Sequence, residues 1–176
     1  MTRFTKLGAT LAITLAVAII ALAGACGSGS KALSSAAYFG KLQELANETD
    51  QKEMDAQPSE EESANLSPDG IKAQAVDVFS AEAAILDDAA KQVDALKPPA
   101  DARDQHAAFA AALNDLAGKF RDFAGQAADL PPEQIEDFAN TEVFSQATFA
   151  AFDETCSALD LVAKDKGIDV ALNCTE

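Results

Sequence analysis

The stretch ARDQHAAFAAALNDLAGKFRDFAGQAADL, residues 102–130, decides the fold. Along it, positions separated by alternating steps of four and three are mostly apolar, and charged residues lie between them. The positions of this stripe are Ala102, His106, Phe109, Leu113, Leu116, Phe120, Phe123, Ala127 and Leu130. Such spacing is typical of a long α-helix that packs one face at a shallow angle against neighbouring helices. The sequence therefore predicts a helix here with a single inner face.

Weaker apolar stripes predict three further helices. The first spans about Leu33–Met54, the second about Ile71–Leu96, and the last runs from a cap at Asn140 or Thr141 to about Lys166. The expected inner stripe of the last helix is Phe144, Thr148 or Phe149, Phe152, Cys156, Leu159 and Ala163. Gly167 stands where a helix of this kind ends.

The sequence also predicts the segments that connect these helices. Residues 57–70 form an acidic loop by composition, and Pro98-Pro99 ends the second helix, after which Asp101 is an expected N-cap. Pro131-Pro132 ends the central helix and starts a short turn that contains Ile135 and Phe138. Four amphipathic helices joined mostly by short turns predict an all-α fold, an up-down-up-down four-helix bundle.

The first residues have the pattern of a secretory signal. Arg3 and Lys6 precede an apolar run over 7–25, which ends in small residues before Cys26 and a Gly-Ser stretch. A basic start, an apolar middle and a small-residue cleavage site mark a signal peptide. We therefore expect residues 1–25 to be removed, residues 26–32 to form a flexible tether, and residues 33–176 to form the domain.

Leu22-Ala23-Gly24-Ala25-Cys26 resembles the bacterial lipoprotein signal, in which small residues precede a cysteine that receives a diacylglyceryl group. The resemblance implies that Cys26 is lipidated and holds the domain at the extracytoplasmic face of the cell envelope. Two fatty chains anchor a protein stably, whereas one does not. The alternatives are ordinary secretory cleavage after Ala25 and an uncleaved span, because about 19 apolar residues just cross a bilayer.

Cys156 and Cys174 remain as an even pair in an exported, disulfide-permissive setting. The sequence predicts that they form a disulfide, which folds the C-terminal tail back along the last helix. Two free buried thiols are the alternative. The unpaired third cysteine, Cys26, is explained by lipidation.

Charge argues against two classes of partner. The 176-residue chain has 13 basic and 29 acidic side chains, and its net charge of −16 becomes more negative still without Arg3 and Lys6. Nucleic acids and anionic lipid surfaces attract basic proteins, so neither is an expected partner of the domain. The membrane is expected as a partner only through the lipid anchor.

His106 is the single histidine and lies on the inner face of the central helix. It could ligate a metal or haem with Met54 as a distant partner, but a histidine hydrogen-bonded to carbonyl groups near Pro98-Pro99 is the expectation. Glu82 is the one acid near the apolar stripe of the second helix, and we hypothesise that it pairs with His106 or a lysine. No metal or other cofactor is predicted.

Common catalytic patterns are absent from the sequence. A di-iron site needs two Glu-x-x-His motifs, c-type haem needs Cys-x-x-Cys-His, and neither occurs. Neither a phosphate-binding glycine loop nor a serine-nucleophile motif in a strand-to-helix setting is present. Adjacent acids such as Asp87-Asp88 are expected on solvated faces. The sequence does not predict an enzyme.

Leu96-Lys97-Pro98-Pro99-Ala100, followed by His106 and Phe109, and the region from Cys156 to Cys174 resemble parts of small uncharacterised helical lipoproteins of actinobacteria and related phyla. This resemblance implies no activity. The expectation is a non-enzymatic binding module for a protein or glycan partner. The alternative is a carrier of an apolar small molecule or lipid inside the bundle, which an internal apolar cavity would favour.

Overall fold

The computed structural model of the chain describes residues 32–172 and Cys174. Every regular element in these residues is helical, so the all-α prediction is confirmed. The expected signal segment, the expected lipid site at Cys26 and nearly all of the tether lie outside the described residues. The described part corresponds to the domain expected to begin at residue 33.

The described residues contain four long helices of 20 to 28 residues and two of four residues. In chain order they are α1 (Ser35–Ala56), α2 (Glu60–Ser63), α3 (Pro68–Ala95), α4 (Arg103–Asp129), α5 (Ile135–Phe138) and α6 (Gln146–Asp165). The predicted first three long helices correspond to α1, α3 and α4, with small differences at their ends. The predicted turn containing Ile135 and Phe138 is α5.

Local capping changes the predicted acidic loop at 57–70. The Ser59 hydroxyl accepts a hydrogen bond from the Glu62 N–H at 3.3 Å, and the Glu62 carboxylate accepts one from the Ser59 N–H at 2.9 Å. This reciprocal capping box stabilises one helical turn, α2, inside the loop. Ser67 caps α3 in a related way and Pro68 takes its first position, so α3 begins earlier than predicted.

The prediction that Asp101 caps the central helix is wrong. Residues Ala100–Ala102 form a 3-10 turn that leads directly into α4, and no side chain caps that start. The backbone of the turn provides the entry to the helix, which leaves the Asp101 carboxylate to bind Lys166 at 2.5 Å. This ion pair links the start of α4 to the end of α6.

The predicted start of the last helix is also wrong. The Asn140 side-chain amide donates to the Glu136 carbonyl and the Thr141 hydroxyl donates to the Asp137 carbonyl, both at 2.8 Å. Both side chains therefore bond back to the preceding turn instead of capping a new helix. The last long helix, α6, begins only after Ser145.

Phe144 was expected on the inner stripe, but 61% of it is exposed. The chain forms a π-helical turn over Ala139–Val143, and this turn buries Val143 completely. A π-helical turn places an extra residue in the helix, so it rotates the following side chain away from the face that a regular helix would give it. The inner stripe resumes at Thr148 and continues through Cys156.

The predicted inner face of α4 is largely confirmed. The buried positions of the predicted stripe are Ala102, in the turn that precedes α4, and His106, Leu113, Leu116, Phe120 and Ala127 of the helix itself. Helix α4 packs against both α3 and α6, and α3 also packs against α1. Small buried residues, such as Ala83 and Ala90 on α3 and Ala110 and Ala117 on α4, let helices approach closely. In contrast, within the described residues α1 and α6 scarcely touch each other.

The predicted disulfide between Cys156 and Cys174 is present, with their Cα atoms 5.6 Å apart. Gly167 ends α6 as predicted, in the left-handed conformation with φ of 67°. The N–H of Ile168 bonds to the Ala163 carbonyl at 3.0 Å, which completes the usual glycine-dependent helix end. The chain then turns back, and Leu172 is buried in the core.

We expect loss of the disulfide to destabilise the domain by about 3 kcal/mol, because the 18-residue separation closes a moderate loop in the unfolded chain. Thermal unfolding with and without a thiol reductant measures this effect. Reductant should lower the midpoint of the natural protein. It should not change that of a Cys156→Ala, Cys174→Ser double variant, and equal sensitivity of both proteins would contradict the prediction.

Candidate functional site

A cleft of about 320 Å³ lies among α1, α3, α4 and α6. Its walls are mostly aliphatic and aromatic. The residues that line it are Leu42, Leu45, Ala46, Thr49, Asp50 and Glu53 from α1, Glu82, Leu86, Ala89 and Val93 from α3, Phe109, Leu113 and Leu116 from α4, Phe149 and Phe152 from α6, and Leu172 from the tail. Because α1 and α6 scarcely touch, the cleft lies where the packing of the long helices is incomplete.

The disulfide contributes to one wall of the cleft. Cys156 is fully buried on α6, and its bond to Cys174 holds the tail against the domain. Leu172, two residues before Cys174, is thereby placed in the cleft lining. The predicted disulfide therefore does more than stabilise the fold, because it also helps to shape the candidate site.

Three carboxyl groups lie together in the cleft. Glu53 of α1 and Glu82 of α3 are half-buried and within hydrogen-bonding reach of each other, and Asp50 lies one turn before Glu53. Burial is the main cause that raises the pKa of Glu53 to about 7, and the negative charges of Glu82 and Asp50 add to it. Burial also raises the pKa of Glu82, although its hydrogen bond with Glu53 acts in the opposite direction. The raised pKa favours the protonated form of Glu53, whose hydroxyl can donate a hydrogen bond to the Glu82 carboxylate.

The hypothesis that Glu82 pairs with His106 or a lysine is wrong, because the structure places Glu82 beside Glu53. The sequence analysis did not identify Glu53 as a candidate site residue. The signal was present, since Leu42, Ala46, Thr49 and Glu53 follow steps of four, three and four along one face. An acid at the end of such a stripe can reach a cleft between helices.

His106 has a different partner from the one expected. Its Nδ1 lies 3.0 Å from the Tyr38 hydroxyl of α1, and this contact replaces the predicted bonds to carbonyl groups near Pro98-Pro99. A hydroxyl group can donate or accept, so it satisfies the ring nitrogen in either tautomer. Burial lowers the pKa of His106, and the charge of Asp94 partly opposes this shift. The pair joins α1 to α4 and does not line the cleft.

Met54 does not provide a second ligand near His106. It lies 16 residues after Tyr38 on the same helix, about 24 Å away at ~1.5 Å per residue, and 59% of it is exposed. Among residues 32–172, no group of three or more histidine, cysteine or acidic side chains has a metal-binding arrangement. In the same part of the chain, no helix combines the length and apolar character that crossing a bilayer requires.

A second depression, of about 330 Å³, lies between α1 and α3 and has a different character. Charged and polar side chains, including Lys41, Glu44, Glu48 and Gln92, form much of its lining. Such a surface is well solvated and offers little apolar area to a ligand. The apolar cleft is therefore the better candidate site.

Comparison of the chain with protein-family models, with curated proteins and with solved structures gave no match.

Replacing Glu53 with glutamine should change the pH dependence of stability. A carboxyl group with a raised pKa in the folded state binds protons that the unfolded chain has released, so stability falls as pH rises from about 4.5 to about 7. Glu53→Gln removes this loss. We expect it to raise the free energy of unfolding by about 1 kcal/mol above pH 7, a modest effect because water reaches the half-buried group. The gain should vanish below pH 4.5.

Urea unfolding at several pH values measures this difference. Glu44→Gln is the matched control, because it removes an acid of α1 that is exposed and lies outside the cleft. It should change stability little at any pH. A pH-independent effect of Glu53→Gln, or an equal effect of the control, would contradict the assignment of the raised pKa to the cleft.

Proposed function

We propose that this protein is a non-enzymatic lipoprotein of the bacterial cell envelope, whose helical domain binds an apolar small molecule in the cleft. The observation that carries the binding part is a cleft of about 320 Å³ with mainly aliphatic and aromatic walls. That volume is at the lower end of the range of small-molecule sites, about 300 to 1,000 Å³. Apolar surface facing an open cleft is unfavourable in water, and an apolar ligand would relieve that penalty.

The cleft favours a small-molecule carrier over a module that docks a protein or glycan. A docking surface of that kind usually presents a contiguous apolar patch. The large apolar side chains that are exposed in the described residues are Met54, Ile71, Phe144 and Leu161. The cleft, in contrast, brings aliphatic and aromatic side chains from four helices and the tail together in one surface.

An up-down-up-down arrangement of α1, α3, α4 and α6 is the architecture we propose around the cleft. Supporting it, the Leu33 N–H bonds to the Lys97 carbonyl, which brings the start of α1 near the end of α3. Likewise, the ion pair between Asp101 and Lys166 brings the start of α4 near the end of α6. Bundles of this type place ligand sites between facing helices.

The chemistry of the cleft supports binding without catalysis. Its polar side chains are Thr49 and the three acids, so the lining contains no histidine, cysteine or lysine. A nucleophile with its base, or a set of oxyanion-stabilising donors, would be needed for the common transfer reactions. We therefore propose no cofactor and no reaction, and the acidic chain argues against a nucleic-acid partner.

Anchoring at Cys26 is the remaining part of the proposal. It rests on the signal-like residues 1–25, on the small residues before Cys26 and on the pairing of the two other cysteines with each other. A flexible tether would hold the acidic domain away from an anionic lipid surface, which repels it. A small apolar ligand could then enter the domain near the membrane.

Anchoring predicts a specific mass and location. In a bacterium that processes lipoproteins, the natural chain should lack residues 1–25, carry fatty chains at Cys26 and sediment with membranes. Cys26→Ser should abolish the added mass and release the protein. Intact-mass analysis distinguishes the outcomes, because a soluble mature chain with a free Cys26 thiol would indicate ordinary secretion. A chain that retains 1–25 would indicate an uncleaved span, and either result would refute lipid anchoring.

The cleft predicts the effect of filling it. Ala46 lines the cleft from α1, so Ala46→Phe should occupy part of the space and weaken binding of the neutral apolar dye N-phenyl-1-naphthylamine by about tenfold or more. The chain has no tryptophan, so dye fluorescence can be followed without interference from one.

Ala84→Phe is the matched control for the filling variant, since Ala84 is exposed on α3 and does not line the cleft. It should bind the dye as the natural protein does. If both variants bind equally well, the dye occupies another surface. If the natural protein shows no binding, the proposal of an apolar small-molecule site fails.

A further inference from the structure

The charged side chains that line the cleft are of one sign. All three titratable residues in its lining are acids, namely Asp50, Glu53 and Glu82, and no basic residue lines it. The side chains that α4 and α6 contribute are entirely apolar. The cleft therefore combines a long apolar surface with a single kind of charge, which is an amphipathic site.

The acids lie at one end of the cleft. Asp50 and Glu53 are the last α1 residues in the lining, whereas Glu82 is the first from α3. The hydrogen bond from Leu33 to Lys97 and the ion pair from Lys52 to Asp88, at 2.7 Å, show that α1 and α3 pass each other in opposite directions. These ends therefore coincide.

The opposite end of the cleft is apolar. Leu42 and Val93 are the lining residues of α1 and α3 farthest along each helix from the acids. From Leu42 to Glu53 the α1 wall extends about 16 Å, at ~1.5 Å per residue. A ligand with one polar end could lie along this wall with its head beside the acids.

The charge of the head group follows from the acids. Two neighbouring carboxyl groups repel each other when both are ionised, and burial makes that repulsion stronger. A proton relieves the repulsion in the empty cleft, and a ligand with a fixed positive charge could replace that proton. An anionic head would add to the repulsion, and a neutral head would leave it unchanged. Charge-assisted hydrogen bonds to carboxylates are also among the stronger polar contacts.

We infer that the cleft takes a small amphipathic cation, with its apolar body along the aliphatic and aromatic walls and its protonated amino group beside Glu53 and Glu82. This inference rests on the proposed small-molecule binding and adds the charge of the ligand. The expected ligand has a primary amine as its head group, attached to an apolar chain.

Three ligands that share one chain length test the inference. Decylamine, decanol and decanoate carry a positive, a neutral and a negative head, and their binding to the full chain is measured by isothermal titration calorimetry below micelle-forming concentrations at pH 8 and physiological salt. We expect decylamine to bind about tenfold more tightly than decanol, and decanoate to bind most weakly. Physiological salt screens attraction to the distant acids of the surface.

Two variants locate the preference. The Glu53→Gln, Glu82→Gln double variant should bind decylamine and decanol within about twofold of each other, while Glu44→Gln should retain the natural preference. Circular dichroism checks that both variants are folded. If the double variant keeps the preference for decylamine, the cation is attracted by general surface charge and the inference is wrong.

Dependence on pH provides an independent readout. Decylamine affinity should rise between about pH 5.5 and pH 8, because the amine must displace the proton shared by Glu53 and Glu82 in the presence of Asp50. Decanol affinity should stay constant.

The outcomes separate this inference from the proposed function. If all three ligands bind equally well, or decanoate binds best, the inference about charge is wrong while apolar binding stands. If none of them binds, both the inference and the proposed function fail.

Discussion

Burial of one face of α4 is the constraint on which the rest of the domain depends. Residues such as Leu113, Leu116 and Phe120 must leave water, and α3 and α6 cover them from two sides. Helix α1 then packs on α3, and nothing in the described residues brings it firmly against α6. The cleft is a consequence of this packing. Because α1 packs on α3 and α6 packs on α4, no extensive contact brings α1 and α6 together to close the cleft.

Once the cleft exists, its polar residues determine its chemistry. A half-buried pair such as Glu53 and Glu82 destabilises the empty domain near neutral pH, since charged carboxyl groups lose water and repel each other there. By contrast, Tyr38 and His106 form a hydrogen bond with each other. This contact joins α1 to α4 without bringing two like charges together. The contrast between a satisfied buried pair and a strained acidic one is why binding is assigned to the cleft and not to His106.

Sequence alone predicted the features that depend on short-range physics. Helix α4 followed from regular apolar spacing, the end of α6 from Gly167, and the disulfide from cysteine parity together with the expected export of the chain. The register of Phe144 was missed because a π-helical turn has no simple sequence mark. The pairing of Glu53 with Glu82 was missed because it depends on how α1 lies across α3, which periodicity within one helix does not define.

The proposed function requires a small molecule to occupy the cleft in the cell. Native mass spectrometry of the natural protein, extracted gently from the cells that produce it, tests this most directly. The account predicts a non-covalent organic adduct that survives gentle ionisation, disappears on denaturation, and is lost from Ala46→Phe but kept by Ala84→Phe. Natural protein that is free of any adduct, or an adduct kept equally by both variants, would contradict it.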